Sequence, residues 1–584
     1  MKSTGEGRSA TRLRPPDPLW REPTRPDPSV VQELTAGLRL PTPLCEVLAV
    51  RGTTAVEDAK RFLRPRLDQL HDPATLADGT RAAQRIARAI QVGERILVHG
   101  DYDVDGICAT ALYTRWLRSL GGAVVPFTPH RLRDGYDFSE AGLAAARESV
   151  CKLIVTADCG TLAHETILRA RACGIDVIVT DHHTVGAELP DALAVVNPRR
   201  PDCPYPEKGL CGTGIAYKVC GLVGTVLGAA PGALEEHLDL VALATIADLV
   251  PLVGENRVLV AYGLRRLAAS STPGVRALLA VSEVAPSEIT AGKVGFVLAP
   301  RINAAGRIGD SADALRLLLT DDEAEARSLA EALDRTNRAR REEDTRTLEE
   351  ALEMVAREYD PDADFGVVLA SEGWHPGVIG IVASRVVEAI HRPVVLIALE
   401  GDGGRGSARS IPGLHLFEAL NECAPYLRRF GGHRQAAGMD VARGALPDFR
   451  RAFNQAARAR LGPDDLRPAL RPDLAIELAA VDAELTHWLS YLGPYGIGNP
   501  GPLFLARGVA LDRPKVVGDG HLKVALSKEG SRLDAIGFGL AQRHDPSTLA
   551  QGPHDVLFRL ELNEWQGVQR PQAKLVDLRR TVTA

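Results

Sequence analysis

RILVHGDYDVDGICAT, residues Arg95 to Thr110, is the stretch from which the rest of the chain can be read. A short apolar run, Ile96 to Val98, ends in His99. Asp101, Asp103 and Asp105 follow at every second position, Gly106 closes them, and a helical pattern starts at Ile107. Three carboxylates and an imidazole therefore crowd one strand-to-helix turn. Carboxylates this close repel unless a cation sits among them, so the turn reads as a divalent metal site. A calcium loop of the EF-hand kind fits worse. It needs a bidentate Glu at its twelfth position, where Leu112 stands, and a helix in front, where this chain has a β-rich run. A solvated acidic turn without an ion is the alternative left open by this stretch alone.

Working outward, short apolar runs recur at Ala123–Phe127, Leu153–Thr156, Val177–Thr180 and Ala194–Val196. Helical patterns near 108–120, 139–148 and 163–172 separate the first four runs. That alternation predicts a parallel sheet with crossover helices, whose ligands bind beyond the carboxyl ends of the strands. The polar residues sit at those ends. The run from Leu153 ends in Asp158, Cys159 and Gly160, and the run from Val177 in Asp181, His182 and His183. A later helical stretch, Leu238 to Ile246, ends in Asp248. Asp248 alone reads best as a cap or turn residue. Three strand ends bringing acids and histidines to one rim read as a site.

HGDYDVDG, TADCG, the triplet Asp181-His182-His183 and the late Asp248 resemble, in order and at compatible spacing, the four motifs of the DHH phosphoesterase superfamily. PRINAAGR (Pro300–Arg307), WHPGVIGIVASR (Trp374–Arg385), GSARS (Gly406–Ser410), FGGHRQAAG (Phe430–Gly438) and LGPYGIGNPGPLF (Leu492–Phe504) narrow the resemblance to its single-strand-specific DNA exonuclease branch. The likeness runs from about Ile96 to near the C-terminus. It implies a multidomain α/β chain: a DHH-type parallel-sheet catalytic domain (31–320), a long connecting helix (321–360), a smaller α/β substrate domain (361–463) and a C-terminal OB-like β-barrel (464–584). A flexible tail, 1–30, precedes them. The connecting helix also follows from Asp321 to Tyr359 lacking Gly and Pro and spacing its leucines helically. Such a helix can hold two domains apart across a groove, and the resemblance implies that DNA threads through it.

The resemblance implies 5′→3′ degradation of single-stranded DNA to 5′-mononucleotides by two-metal hydrolysis, in repair and recombination. It implies that His99, Asp103 and Asp158 bind one ion, and Asp105, Asp158, His182 and Asp248 the other. The ions are Mn²⁺ or Mg²⁺; mixed His/Asp ligation suits Mn²⁺. Asp101 orients a ligand. His183 contacts the scissile phosphate or moves a proton, or only hydrogen-bonds behind the ligands. Arg131, Ser407, Arg409, Gly432 and His433 are expected at the 5′ end, and Arg301, Asn303 and Arg307 near the metals. GSARS has a plain alternative as a surface turn, and the Arg and Asn of PRINAAGR as helix-bridging groups. Tyr495, Phe504, Lys515, His521 and Lys523 are the barrel's candidate strand contacts, several of them barrel core. Family-implied partners are a single-strand-binding protein and a RecQ-type helicase, with a monomeric enzyme.

Composition adds bounds. The chain has 584 residues, 45% hydrophobic and 25% charged, which fits three or four ordinary domains. Nine cysteines without a CxxC pair indicate reduced thiols and a cytoplasmic setting. No apolar run is long enough for a membrane span. The net charge of −6 gives no support to nucleic-acid binding. Two rivals remain. A small-substrate member of the superfamily, acting on oligonucleotides or cyclic dinucleotides, has no use for the barrel. A non-catalytic DNA-binding scaffold would lack motif residues that this chain retains.

Overall fold

The computed structural model describes residues 15–131, 133–135, 137–565 and 568–582. The chain folds into two compact units. One comprises Asp27–Arg338 and Glu484–Gly501; the other comprises residues up to Pro26, Ala339–Ala483 and those from Pro502 on.

The first unit is built on five parallel strands: β1 (Arg95–Gly100), β2 (Ala123–Phe127), β3 (Leu153–Ala157), β4 (Asp176–Thr180) and β5 (Ala194–Val196). Their order is β2-β1-β3-β4-β5. Strand alternation sends successive side chains to opposite faces. Ile96 and Val98 enter a core shared with α1 (Val104–Ser119), whereas Leu97 enters a second core with Phe138, Leu143 and Ile167. The chain goes from β1 outward to β2, then crosses back over β1 to reach β3. The crevice at the β1 and β3 carboxyl ends is therefore the topological switch point, where ligands bind in such sheets. Three further helices complete the frame: α2 (Gly212–Leu227), α3 (Leu238–Ala247) and α4 (Ala299–Ile308).

A continuous 36-residue helix, α5 (Glu323–Glu358), follows. At 1.5 Å per residue it is about 54 Å long. Its leucines serve two cores: Leu329 and Leu333 pack with the first unit, and Leu348, Leu352 and Val355 with Val367, Ile379 and Val394 of the second.

The second unit carries a five-stranded sheet: β6 (Val367–Ser371), β7 (Val394–Glu400), β8 (Gly403–Arg409), β9 (Leu427–Gly432) and β10 (Ala436–Ala442), in the order β9-β10-β8-β7-β6. GSARS is thus part of the central strand and not a surface turn, because it pairs on one side with β7 and on the other with β10. A barrel follows, of β11 (Phe504–Val517), β12 (His521–Lys528), β13 (Ser531–Gly537), β14 (His554–Trp565) and β15 (Val568–Arg580), closed by pairing of β11 with β14. Phe504 and Phe558 fill its core, their ring centroids 5.9 Å apart.

Two segments depart from the expected boundaries. Of the tail, residues 1–14 lie outside the described residues. Leu19–Trp20 pair as a strand with Ala469–Leu470, and the Trp20 indole donates to Asp577 (2.8 Å) under the Arg579 guanidinium. Residues 484–501, expected in the barrel, pack in the first unit. Arg257 donates to the carbonyls of Tyr491 and Leu492, and Leu252 N–H to that of Ile497. Tyr495 therefore is not a barrel residue. No described helix is long and apolar enough to cross a membrane. Trp20→Ala removes an indole from an apolar cluster with Leu503, Leu505 and Leu557. The expected cost is about 2–3 kcal/mol, below the full-burial range because the ring is half-buried. Urea unfolding checks it, and an unchanged midpoint would mean the segment is a passive passenger.

Candidate active site

Register sets the site. Gly100 of β1 lies beside Ala157 of β3, and Ala157 beside Thr180 of β4. The next residue of each strand is an aspartate, so Asp101, Asp158 and Asp181 leave the sheet side by side. Asp103 caps α1, accepting from the N–H groups of Asp105 (3.0 Å) and Gly106 (3.2 Å). Asp105, in the first turn of α1, accepts from Gly212 N–H (2.6 Å) and Thr213 N–H (2.7 Å) at the start of α2. Only a glycine permits that approach: a Cβ on Gly212 would lie 2.5 Å from Asp158 Cβ. The sequence reading missed Gly212 and Thr213. Their signal was a Gly-Thr pair opening an apolar helix, which is too common to single out.

Among the described residues, three groups of side chains have ligand atoms within 4.8 Å of one another: Asp101, Asp103 and Asp158; Asp105, His182 and Asp248; and Asp158, His182 and His183. His182 Nε2 lies 3.0 Å from Asp158 Oδ1, 3.6 Å from Asp248 Oδ2 and 3.8 Å from Asp105 Oδ2. Asp158 and His182 each belong to two groups. Burial, then the charges of Asp105 and Asp103, pushes the Asp158 carboxyl well up. Burial and Asp103 do the same to Asp101, and burial with Asp105 takes Asp248 up to about 8. Burial also lowers His182 to about 4, which keeps its imidazole neutral and able to ligate. Asp101 Oδ1, Asp158 Oδ1 and His182 Nδ1 are buried without a hydrogen bond. Orphaned oxygens among mutually repelling carboxylates fit divalent cations.

His183 is different. Burial would lower it, but its 2.8 Å bond to Asp181 and the charges of Asp181, Asp248 and Asp101 outweigh burial and raise it to about 9. Burial would raise Asp181 in turn, yet hydrogen bonds from His183 and Thr161 hold its carboxyl below the usual range. In the metal-free fold His183 therefore favours its protonated form, while its ring nitrogen also lies in the group with Asp158 and His182.

His99 lies in none of the three groups. On β1 it shares the face of Leu97, so its ring packs between Phe127 and Phe138 (centroids 5.1 and 5.2 Å) with Cys159 Sγ 3.7 Å from Nδ1. Asp101, expected behind the ligands, instead lies with Asp103 and Asp158.

A cavity of about 290 Å³ opens on the acids and His183 and is completed by Arg131, Asn303 and Arg307. Arg131 lies over the Tyr102 ring at 5.0 Å, and Asn303 accepts from Val104 N–H (3.2 Å). Arg301 does not line it. Its Nε pairs with Asp334 (3.0 Å) and it is 8% exposed, which is the helix-bridging role. In the second unit, Ser407 Oγ accepts from Arg409 Nη1 (3.1 Å) on β8, against Gly380 at the start of the helix Ile379–Ile390. Gly432 ends β9 at φ 151°, where a Cβ would lie 2.5 Å from the Ala436 carbonyl, and His433 N–H donates to that carbonyl (2.8 Å).

Comparison with known proteins bears on the same regions. Residues 95–245 match the DHH family N-terminal domain, 364–459 the DHHA1 domain and 472–577 the RecJ OB domain. The chain is 36% identical over 558 residues to the single-stranded-DNA-specific exonuclease RecJ of Bacillus subtilis, covering 95% of this chain and 70% of that one. It is 37% identical to RecJ of Dickeya dadantii, covering 91% and 95%. The chain belongs to the RecJ family. RecJ of Thermus thermophilus, solved in complex with Mn²⁺, superposes with a TM-score of 0.83 at 34% identity, covering 97% of this chain and 80% of that one. Its Mg²⁺ complex gives 0.78 at 33% identity, covering 97% and 79%.

The electrostatics of this RecJ-family site predict a pH-dependent response to metal. Raised carboxyls lose stability as pH climbs from about 4 toward 8, because ionising them in the fold costs more than in the unfolded chain. Raised His183 contributes stability below about 6.5 that disappears as pH passes about 9. Both trends weaken the metal-free fold at alkaline pH. The increase in Tm on adding Mn²⁺ over EDTA is expected to be larger at pH 8 than at pH 6. Differential scanning calorimetry checks it, and equal shifts would mean the acids are not the metal's seat.

Proposed function

We propose that this chain is a metal-dependent 5′→3′ exonuclease that degrades single-stranded DNA to 5′-mononucleotides. The observation that carries the reading is the set of ligand groups sharing Asp158 and His182, whose Asp101, Asp103, Asp105, His183 and Asp248 line one cavity together with Arg131 and Arg307. Asp101, Asp103 and Asp158 would hold one divalent ion, and Asp105, His182 and Asp248 the other, with Asp158 common to both. Mn²⁺ or Mg²⁺ there supplies an activated water and neutralises charge on the phosphate.

The chain's own groups do the rest. Arg131 and Arg307 bind backbone phosphates as planar forks. Asn303 ties α4 to the first turn of α1 and so holds Arg307 toward the acids. The His183 imidazolium, oriented by Asp181, donates to an unesterified phosphate oxygen or returns a proton to the leaving oxygen. Ser407, Arg409, Gly432 and His433 form the receptor for a 5′-terminal phosphate: a guanidinium, a hydroxyl and, at the neighbouring Gly431, a backbone with open space beside it.

The barrel supplies affinity along the strand. Lys515, Lys523, Ile536 and Lys574 are directly opposed across β11, β12, β13 and β15, so they share one face. Phe538, 53% exposed, adds a ring with Lys574 Nζ 5.1 Å above it. Basic groups beside an exposed ring suit unpaired nucleotides. Phe504, buried in the barrel core, takes no part. An enzyme consuming free 5′ ends, in the cytoplasm, depends on a supply of them. A RecQ-type helicase and a single-strand-binding protein are the partners that fit, in repair and recombination.

An oligonucleotide labelled separately at each end tests the activity. In Mn²⁺ the 5′ label is released at once as a mononucleotide while the 3′-labelled strand shortens stepwise, and EDTA stops both. Asp158→Ala is expected to lower the rate by more than about 10²-fold with the fold intact by circular dichroism; retained turnover excludes its shared role. Arg409→Ala is expected to erase a preference of roughly 10- to 100-fold for 5′-phosphorylated over 5′-hydroxyl strands. An unaltered preference would place end recognition elsewhere.

A further inference from the structure

The helix bearing Asn303 and Arg307 begins well before them. It runs unbroken from Ala291 to Ile308, but Val294–Leu298 is wound as a π-helix, with Ala299 N–H donating to the carbonyl of Val294 five residues back. The cause is local. Pro300 has no N–H for the carbonyl of Phe296, four residues earlier, and its ring would strike that carbonyl in a regular turn. Widening the turn relieves the clash. Single π-turns of this kind are frequent at functional sites.

Phe296 stands in the widened turn and is 82% exposed, more than any other Phe, Tyr or Trp among the described residues. Asn303 and Arg307, four residues apart, share one face of the helix beyond the widened turn, and Phe296 lies on the same half of the helix. Those two residues line the cavity. Arg301 projects from a different side and fixes the helix to Asp334. A Cβ on Gly295 would touch Ile246 at 3.4 Å, two residues before Asp248, so the turn rests on the end of α3. The rise from Phe296 to Asn303 is about 10 Å.

We infer that Phe296 is a base-stacking residue for the substrate strand, taking a base downstream of the phosphate that is cut. The inference rests on the exonuclease reading above. A ring left in water on the same half of the helix as two cavity-lining polar groups matches what a single strand alone presents, an unpaired base face joined to a phosphate chain. Stacking tolerates any base, so Phe296 contributes to preference for unpaired strands without selecting sequence.

The test places one abasic unit at successive downstream positions of an oligothymidylate and follows release of the first nucleotide in Mn²⁺. The wild-type chain is expected to show a roughly tenfold drop in kcat/KM at one position. Phe296→Ala is expected to be about tenfold low on the intact strand, through KM, and to show no further drop at that position; Phe296→Trp restores it. Phe296 is exposed, so neither variant endangers the fold. A drop that Phe296→Ala retains, or none in the wild type, overturns the stacking role alone. A wild-type chain that releases no nucleotide from any of these strands overturns the exonuclease reading and this inference with it.

Discussion

Carboxylates buried within a few ångströms of one another cannot all be ionised without a cation, and much of the first unit serves to hold them there nonetheless. The parallel register of β1, β3 and β4 delivers three aspartates to one edge. The N-terminus of α2 supports Asp105 with two backbone N–H groups and its positive dipole end. The turn after α3 brings in Asp248. Each device opposes the repulsion only in part, since burial and like charge still push Asp101, Asp158 and Asp248 up. The remainder is what a divalent ion would relieve. Metal affinity and pH response are therefore one property of this cluster.

The parts of this arrangement that were legible in the sequence follow local periodicity. Five apolar runs at βα spacing foretold the sheet, and strand ends foretold where its acids would gather. The 36-residue helix was legible because a long stretch without Gly or Pro has few other options. His99 shows the limit. Its position one residue before the strand end suggested a ligand, but its ring packs between Phe127 and Phe138, outside the three ligand groups, with Nε2 buried and without a hydrogen bond. Arg301 shows another. Two arginines and an asparagine in PRINAAGR are alike as letters, and only the helical phase sends Arg307 to the cavity and Arg301 to Asp334.

What was not legible depends on contacts distant in sequence. Nothing near Trp20 announces Asp577, and a Pro-rich polar tail reads the same whether or not it finds a partner. Residues 484–501 lie between barrel-side strands in the chain, yet Arg257 and Leu252 bind them into the first unit. Leu252 is four residues past Asp248, and Asn499 receives Arg51 (3.2 Å) while donating to Leu492 and Pro494. The segment that separates two parts of the second unit in sequence thus braces the turn next to a candidate metal ligand. A boundary drawn between domains along the chain is not a boundary in the fold.

Pro300 carries the same lesson at the smallest scale. As a letter it is a helix breaker, and before Arg301 it marks the start of a motif. In the fold it breaks nothing: the helix passes through it by widening one turn, and that turn exposes Phe296. A regular turn would need a residue with an N–H at position 300 and would wind the preceding residues further round the axis than the wider π-turn does. The exposed ring and the cavity-lining pair below it are thus parts of one backbone solution, in which the cost of a missing hydrogen bond is offset by the placement of side chains that face the substrate.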